Sequence, residues 1–175
     1  MKKFLRFFLS LFILSAMLGL AACTDDDDDD DNNNPPTTTN SVTAKIATDA
    51  TINSPSDWKS SSVTGTLTNN ITAITAVGTD GSQLIITIPG DATGNYPLNS
   101  SSGATVIYTE DPVAAGTNPN LIFYGIDGSG NVNITKFDKT NKKISGTFQF
   151  QTIRLLSGVR RYFTSGEIKD VSYLP

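Results

Sequence analysis

Gln83-Leu84-Ile85-Ile86-Thr87-Ile88 places Leu84, Ile86 and Ile88 on one face of an extended chain and Ile85 and Thr87 on the other. That period of two marks a strand with a buried face. The pattern recurs on both sides of it. Residues 104–109 set Val106 with Tyr108, and residues 121–126 form the continuous apolar and aromatic run of a central strand. Val132 and Ile134 share a face, as do Ile144, Phe148 and Phe150, and Val171 and Tyr173 close the series. After residue 40 no segment keeps apolar residues at helical spacing over three turns.

Turn chemistry separates these runs. Thr79-Asp80-Gly81-Ser82, Pro89-Gly90-Asp91, Asp127-Gly128-Ser129-Gly130 and Asp138-Lys139-Thr140-Asn141 all favour tight reversals, because Gly, Asn and Asp tolerate turn dihedrals. Ser157-Gly158 suggests a further hairpin. Short strands closed by local turns give an all-β expectation: an antiparallel β-sandwich or a partly closed β-barrel of eight to ten strands. The organisation expected is a signal peptide over residues 1–22, an acidic disordered tether over 23–40 and one all-β domain over 41–175. That domain has about 135 residues, enough for a real core.

Charge is distributed in three regimes. Lys2, Lys3 and Arg6 make the start basic, Asp25 to Asp31 are all acidic, and the formal net charge is −4. Residues 41–175 balance their basic and acidic side chains, so the low isoelectric point belongs to the tether. No basic stripe of the kind a nucleic-acid backbone requires is present, and no nucleic-acid partner is expected. Cys23 is the only cysteine, and histidine is absent. These two facts exclude an intramolecular disulfide, thiol–histidine and serine–histidine–acid catalysis, and the usual zinc ligand sets. No metal or cofactor is expected, and the domain is read as non-enzymatic.

The start of the chain carries an address. A basic segment precedes the apolar stretch from Phe7 to Leu20, the pattern of a secretory signal. Leu20-Ala21-Ala22-Cys23 follows and resembles the lipobox of bacterial lipoproteins. The resemblance implies cleavage before Cys23, diacylglycerol on its sulfur and a membrane partner held through acyl chains. An uncleaved membrane-spanning helix and a secreted protein with a stray cysteine are the alternatives. Thr24, Asp25, Asp26, Asp27 and Asp28 resemble the surface-export signal of Bacteroidota-type lipoproteins. An outer-membrane, cell-surface location is expected, with the periplasmic leaflet as alternative. The aspartates also serve, more simply, to keep a tether solvated.

Residues 130–138, 141–150 and 164–171, with Trp58 and Gly94-Asn95-Tyr96-Pro97-Leu98, resemble an uncharacterised family of small β-rich Bacteroidota lipoproteins. The resemblance implies the same address and an all-β domain, and supplies no catalytic residue.

Several constellations could carry chemistry. Residues 127–138 carry oxygen ligands at calcium-loop spacing, but Val132 stands where such a loop needs glycine and Asp138 replaces the bidentate glutamate. A strand in a hairpin is the competing reading. Glu110, Asp111, Asp127, Asp138, Glu167 and Asp170 are the acids from which a glycoside-hydrolysing pair would be drawn. If Ser157-Gly158 is a two-residue turn, Arg154 faces Arg161 across the strands, an unfavourable pair unless an anion or acid lies between them. Arg154, Arg160 and Arg161 are therefore the candidate anion site, for an acidic glycan or a headgroup phosphate; a solvated hairpin tip is the plainer alternative. Trp58 and the tyrosines are expected mainly in the core. Together these point to a lipid-anchored, non-catalytic binding or interaction module whose partner is a glycan or an envelope protein. A carboxylate-dependent hydrolase of glycans and a structural subunit of an envelope complex are the competing readings.

Overall fold

The computed structural model describes residues 40–175. The readings that fall on Leu20, Ala21, Ala22, Cys23, Thr24 and Asp25 to Asp31 lie outside the described residues. Ten strands follow in chain order: β1 (Ser41–Ala47), β2 (Ser56–Thr68), β3 (Ile71–Gly78), β4 (Gln83–Pro89) and β5 (Gly94–Pro97), then β6 (Thr105–Thr109), β7 (Ile122–Gly125), β8 (Asn131–Asp138), β9 (Lys143–Ile153) and β10 (Arg160–Leu174). One four-residue helix, α1 (Pro112–Ala115), interrupts the β6–β7 connection, where Asp111 accepts from the Val113 and Ala114 amides and Pro112 opens the turn.

The sheet is closed, so of the two expected architectures the barrel is found. β1, β2, β3, β4, β6, β7, β9 and β10 form an eight-stranded ring in which β10 returns to β1. Pairing is antiparallel throughout except where Tyr173 and Leu174 of β10 run parallel to Gly65 and Thr66 of β2. The two remaining strands extend existing staves. β7 and β8 lie end to end beside β9, with Tyr124 opposite Ile153 and Asn131 opposite Gln149. β5 lies beside β8 as β6 lies beside β7. Asp127-Gly128-Ser129-Gly130 is therefore an excursion within one line of strand, not the reversal its composition suggests. The Ile126 amide still donates to the Gln151 carbonyl at 3.0 Å across that break.

Alternation decides what fills the ring. Leu84, Ile86 and Ile88 are each 1% exposed, and Phe123, Val132 and Ile144 are fully buried. A ring of eight strands leaves an interior just wide enough to be packed with side chains, and Tyr108, Phe163, Phe150 and Phe148 follow one another in ring-to-ring contact through it. The β2–β3 hairpin turns on Asn69 and Asn70, both at positive φ (51° and 60°), the geometry of a two-residue type I′ turn.

The two ends of the barrel differ. One end, here the base, gathers the β2–β3, β4–β5 and β8–β9 turns, the end of β10, and Asn40, which bonds Ser172 and Lys143. The other, the mouth, gathers the β1–β2 loop, the β3–β4 turn, the α1-bearing connection and the β9–β10 loop.

Candidate functional site

At the mouth the inner face of the barrel turns polar. Tyr108 and Glu110 continue the inward parity of β6, and Thr152 and Arg154 continue that of β9. Arg161 stands opposite Thr152. The β9–β10 turn is longer than two residues: Arg160 pairs with Ile153, and the chain loops through residues 154–159, closed by Arg154 N–H to the Val159 carbonyl at 2.9 Å. The pairing of Arg154 with Arg161 expected from a two-residue turn is thus incorrect. The two side chains nevertheless converge, because the register moved by an even number of residues and left both on the inner face.

An acid does lie between them. Arg154 Nη2 donates to Glu110 Oε2 at 2.9 Å, and Arg161 Nε donates to Oε1 at 3.1 Å, with Arg161 Nη2 closing on the same oxygen. Both guanidinium carbons also sit over Phe123, 4.6 and 4.9 Å from the ring centre. The anion that the two arginines require is the protein's own. Arg160 is separate from this triad: it is exposed and reaches Gln151 at 3.4 Å.

A second polar chain stands beside the first. Trp58 Nε1 donates to Ser82 Oγ at 2.7 Å, and Ser82 Oγ donates to Asp80 Oδ1 at 2.6 Å. Gly78 makes room for it, since a Cβ there would fall 2.4 Å from Asp80 Oδ1 and 2.6 Å from Trp58 Nε1. Burial holds the Tyr108 hydroxyl above the usual tyrosine value; the charges of Asp80 and Glu110 push the same way, while Ser82 and Arg161 oppose them. At the rim, the Tyr162 hydroxyl donates to Asp49, which raises its pKa and ties β10 to the β1–β2 loop.

Between these groups lies a cleft of about 340 Å³, lined among others by Thr48, Asp57, Trp58, Asp80, Tyr108 and Arg161. Its size falls at the lower end of small-ligand sites. It offers carboxylates, a guanidinium, hydroxyls and an aromatic edge, a set that both donates and accepts. Around it the loops present exposed apolar side chains: Ile52, Val113, Leu155 and Leu156.

The other residues singled out in the sequence are dispersed. Asn131–Asp138 is strand β8, an extended chain that spaces Asn131 and Asn133 along one face instead of curling them around an ion. Among the described residues no cluster of three or more acids suits a metal. Of the six acids, Glu110 is held in the triad and Asp111 caps α1. Asp138 and Asp170 flank Lys136 at 4.0 and 3.4 Å, Glu167 lies on the outer face of β10, and Asp127 is in the exposed β7–β8 excursion. Trp58, Tyr108 and Tyr173 are core residues as expected, whereas Tyr124 is turned outward. Ser82, Asp80 and Gly78 carry no sign in the sequence beyond a turn. Their role follows from Trp58, which lies 24 positions from Ser82.

Residues 41–172 match the family described as Domain of unknown function (DUF6252), and the chain belongs to that family. No curated protein and no solved structure gives a match.

Proposed function

We propose that this chain is a lipoprotein anchored through Cys23 to the outer membrane, displayed at the cell surface, whose barrel binds a small polar ligand or an envelope partner at its mouth without transforming it. The observation that carries this reading is the placement of the polar cleft. Asn40, where the tether joins the barrel, sits at the base beside Ser172 and Lys143, and the cleft opens at the far end. A barrel joined to its tether at the base leaves its mouth unobstructed by the tether. The rigid hydrogen-bonded walls support recognition, since pre-ordered donors and acceptors lose little entropy when a ligand arrives.

Trp58 is the sole tryptophan and lines the cleft, so its emission reports ligand entry. Titration of the chain with glycans, lipid headgroups and envelope extracts should give a saturable shift that Asp80→Asn weakens. Turnover of a glycan without stable binding would overturn the reading. Two further measurements address the address: fatty-acid labelling should vanish in Cys23→Ala, and protease added to intact cells should release the domain. Full protection of the domain would refute surface display.

A further inference from the structure

Outside the barrel, the registers of four strands bring polar side chains into line, all but one of them neutral. Asn95 of β5 stands opposite Asn133 of β8, Asn133 opposite Thr147 of β9, and Thr147 opposite Glu167 of β10. A second row places Asn131 opposite Gln149. These side chains take the outward parity of their strands, while Val132, Ile134 and Phe148 between them face the core. At adjacent-strand spacing, a row across four strands spans roughly 14 Å.

The surface they make is concave. β10 is bulged between Phe163 and Gly166, with Ser165 at φ 50°. Gly166 packs so tightly under Phe148 that a Cβ would lie 2.4 Å from the ring. The groove is open and shallow, offers about 710 Å³, and is separate from the mouth. Its chemistry is narrow. Four amides and two hydroxyls line it with a single carboxylate, Glu167, and no lysine or arginine. Amides both donate and accept, and one pair, Asn131 to Asn95, is already joined edge to edge. A charged ligand finds no counter-ion here beyond one acid, and Phe148 is the one apolar side chain among the lining residues.

We infer that this groove is a second binding site, for a linear neutral oligosaccharide lying across the strands. Ring hydroxyls supply the alternating donors and acceptors that planar amides match, and Glu167 accepts from a hydroxyl. A length near 14 Å accommodates a short run of sugars rather than one.

The test uses the full chain in a detergent without a sugar head. Maltotriose, cellotriose, chitotriose and mannotriose are the probes, with a neutral extended hexapeptide as comparison. Side-chain amide signals of Asn95, Asn133 and Gln149 are followed by ¹⁵N correlation spectroscopy. At least one trisaccharide should shift them saturably. The double variant Asn133→Ala, Gln149→Ala should weaken that binding by about tenfold or more, the effect of losing two neutral hydrogen bonds. Both positions face outward, and an unchanged melting curve checks that the fold persists. Glu167→Gln should weaken binding less than the double variant, and Asp80→Asn at the mouth should leave it unchanged. Absence of shifts with all four sugars at millimolar concentration overturns the inference. So does binding indifferent to the double variant, and so does binding of the peptide alone. Trp58 emission reports the mouth independently, so failure at one site is distinguishable from failure at the other.

Discussion

Replacing Glu110 by Gln keeps the size of the side chain and removes the one negative charge between Arg154 and Arg161. The native contacts are guanidinium-to-carboxylate bonds from Arg154 Nη2 and from Arg161 Nε and Nη2. The side chains are 20%, 19% and 28% exposed for Arg154, Arg161 and Glu110. That places the triad between an exposed ion pair, which contributes up to about 1 kcal/mol, and a buried one whose breaking costs roughly 3–5 kcal/mol. The glutamine oxygen still accepts one bond, but two guanidinium groups then face each other over Phe123. A loss of about 2 kcal/mol is expected, which for a domain of this size lowers Tm by roughly 6–10 °C. Urea unfolding at neutral pH, followed by emission of the buried Trp58, measures it. Sulfate provides the decisive comparison. In the variant the two guanidiniums have lost their counter-charge, so sulfate drawn to them should stabilise Glu110→Gln more than the native protein. A variant within about 0.5 kcal/mol of native, or equal stabilisation of both by sulfate, refutes the triad as a stabilising element of the mouth.

Gly78→Ala should cost about 1–3 kcal/mol by overpacking and shift Trp58 emission, because the new methyl displaces Ser82 or Asp80 from the indole; unchanged emission would count against the relay. Alkali should weaken the barrel. The Tyr108 pKa is raised on folding, so between the unfolded value near 10 and the higher folded value the unfolded chain binds fewer protons, and stability falls as pH rises through that window. A tyrosine absorbance titration should show a hydroxyl that ionises later than an ordinary tyrosine, and Tyr108→Phe should remove that component. Acid acts in the opposite sense at Asp138. The Asn141 side chain, with the Asn141 and Thr140 amides, lowers its pKa below 3.8, so its contribution is present above that value and is lost as pH falls through the lower folded one. The acid limb of the urea midpoint should therefore be flatter in Asp138→Asn than in the native protein.

The strands were legible because alternation is local. Leu84, Ile86 and Ile88 are buried for the same reason that they are spaced by two, and Asp80-Gly81 turns where its chemistry says it should. Closure was not legible. A strand pattern tells which face is inward but not which strand lies alongside, and β10 meets β1 across more than a hundred residues. The end-to-end strands were hidden likewise, since Gly and Asp mark a break in the ladder without telling whether the chain then reverses. At the site, parity carried the convergence of Arg154 and Arg161 even though the turn length was misread. Glu110 had to come from a strand that no local pairing rule connects to them, and it entered the sequence reading only as one of six scattered acids. Ser82 and Asp80 looked like turn residues because that is their local role. Their second role depends on an indole delivered by β2.

The same late strand has a consequence for biogenesis. Residues 160–174 contribute every hydrogen bond that joins β9 to the other side of the ring, and they are made after all their partners. A nascent chain lacking them has open edges on β9 and on β1, with unsatisfied amides that favour association with other chains. The barrel is therefore assembled in a single late step from contacts distant in sequence, a slow class of folding reaction. A chain shortened by its last strand would fail as a whole instead of losing only one strand's share of stability.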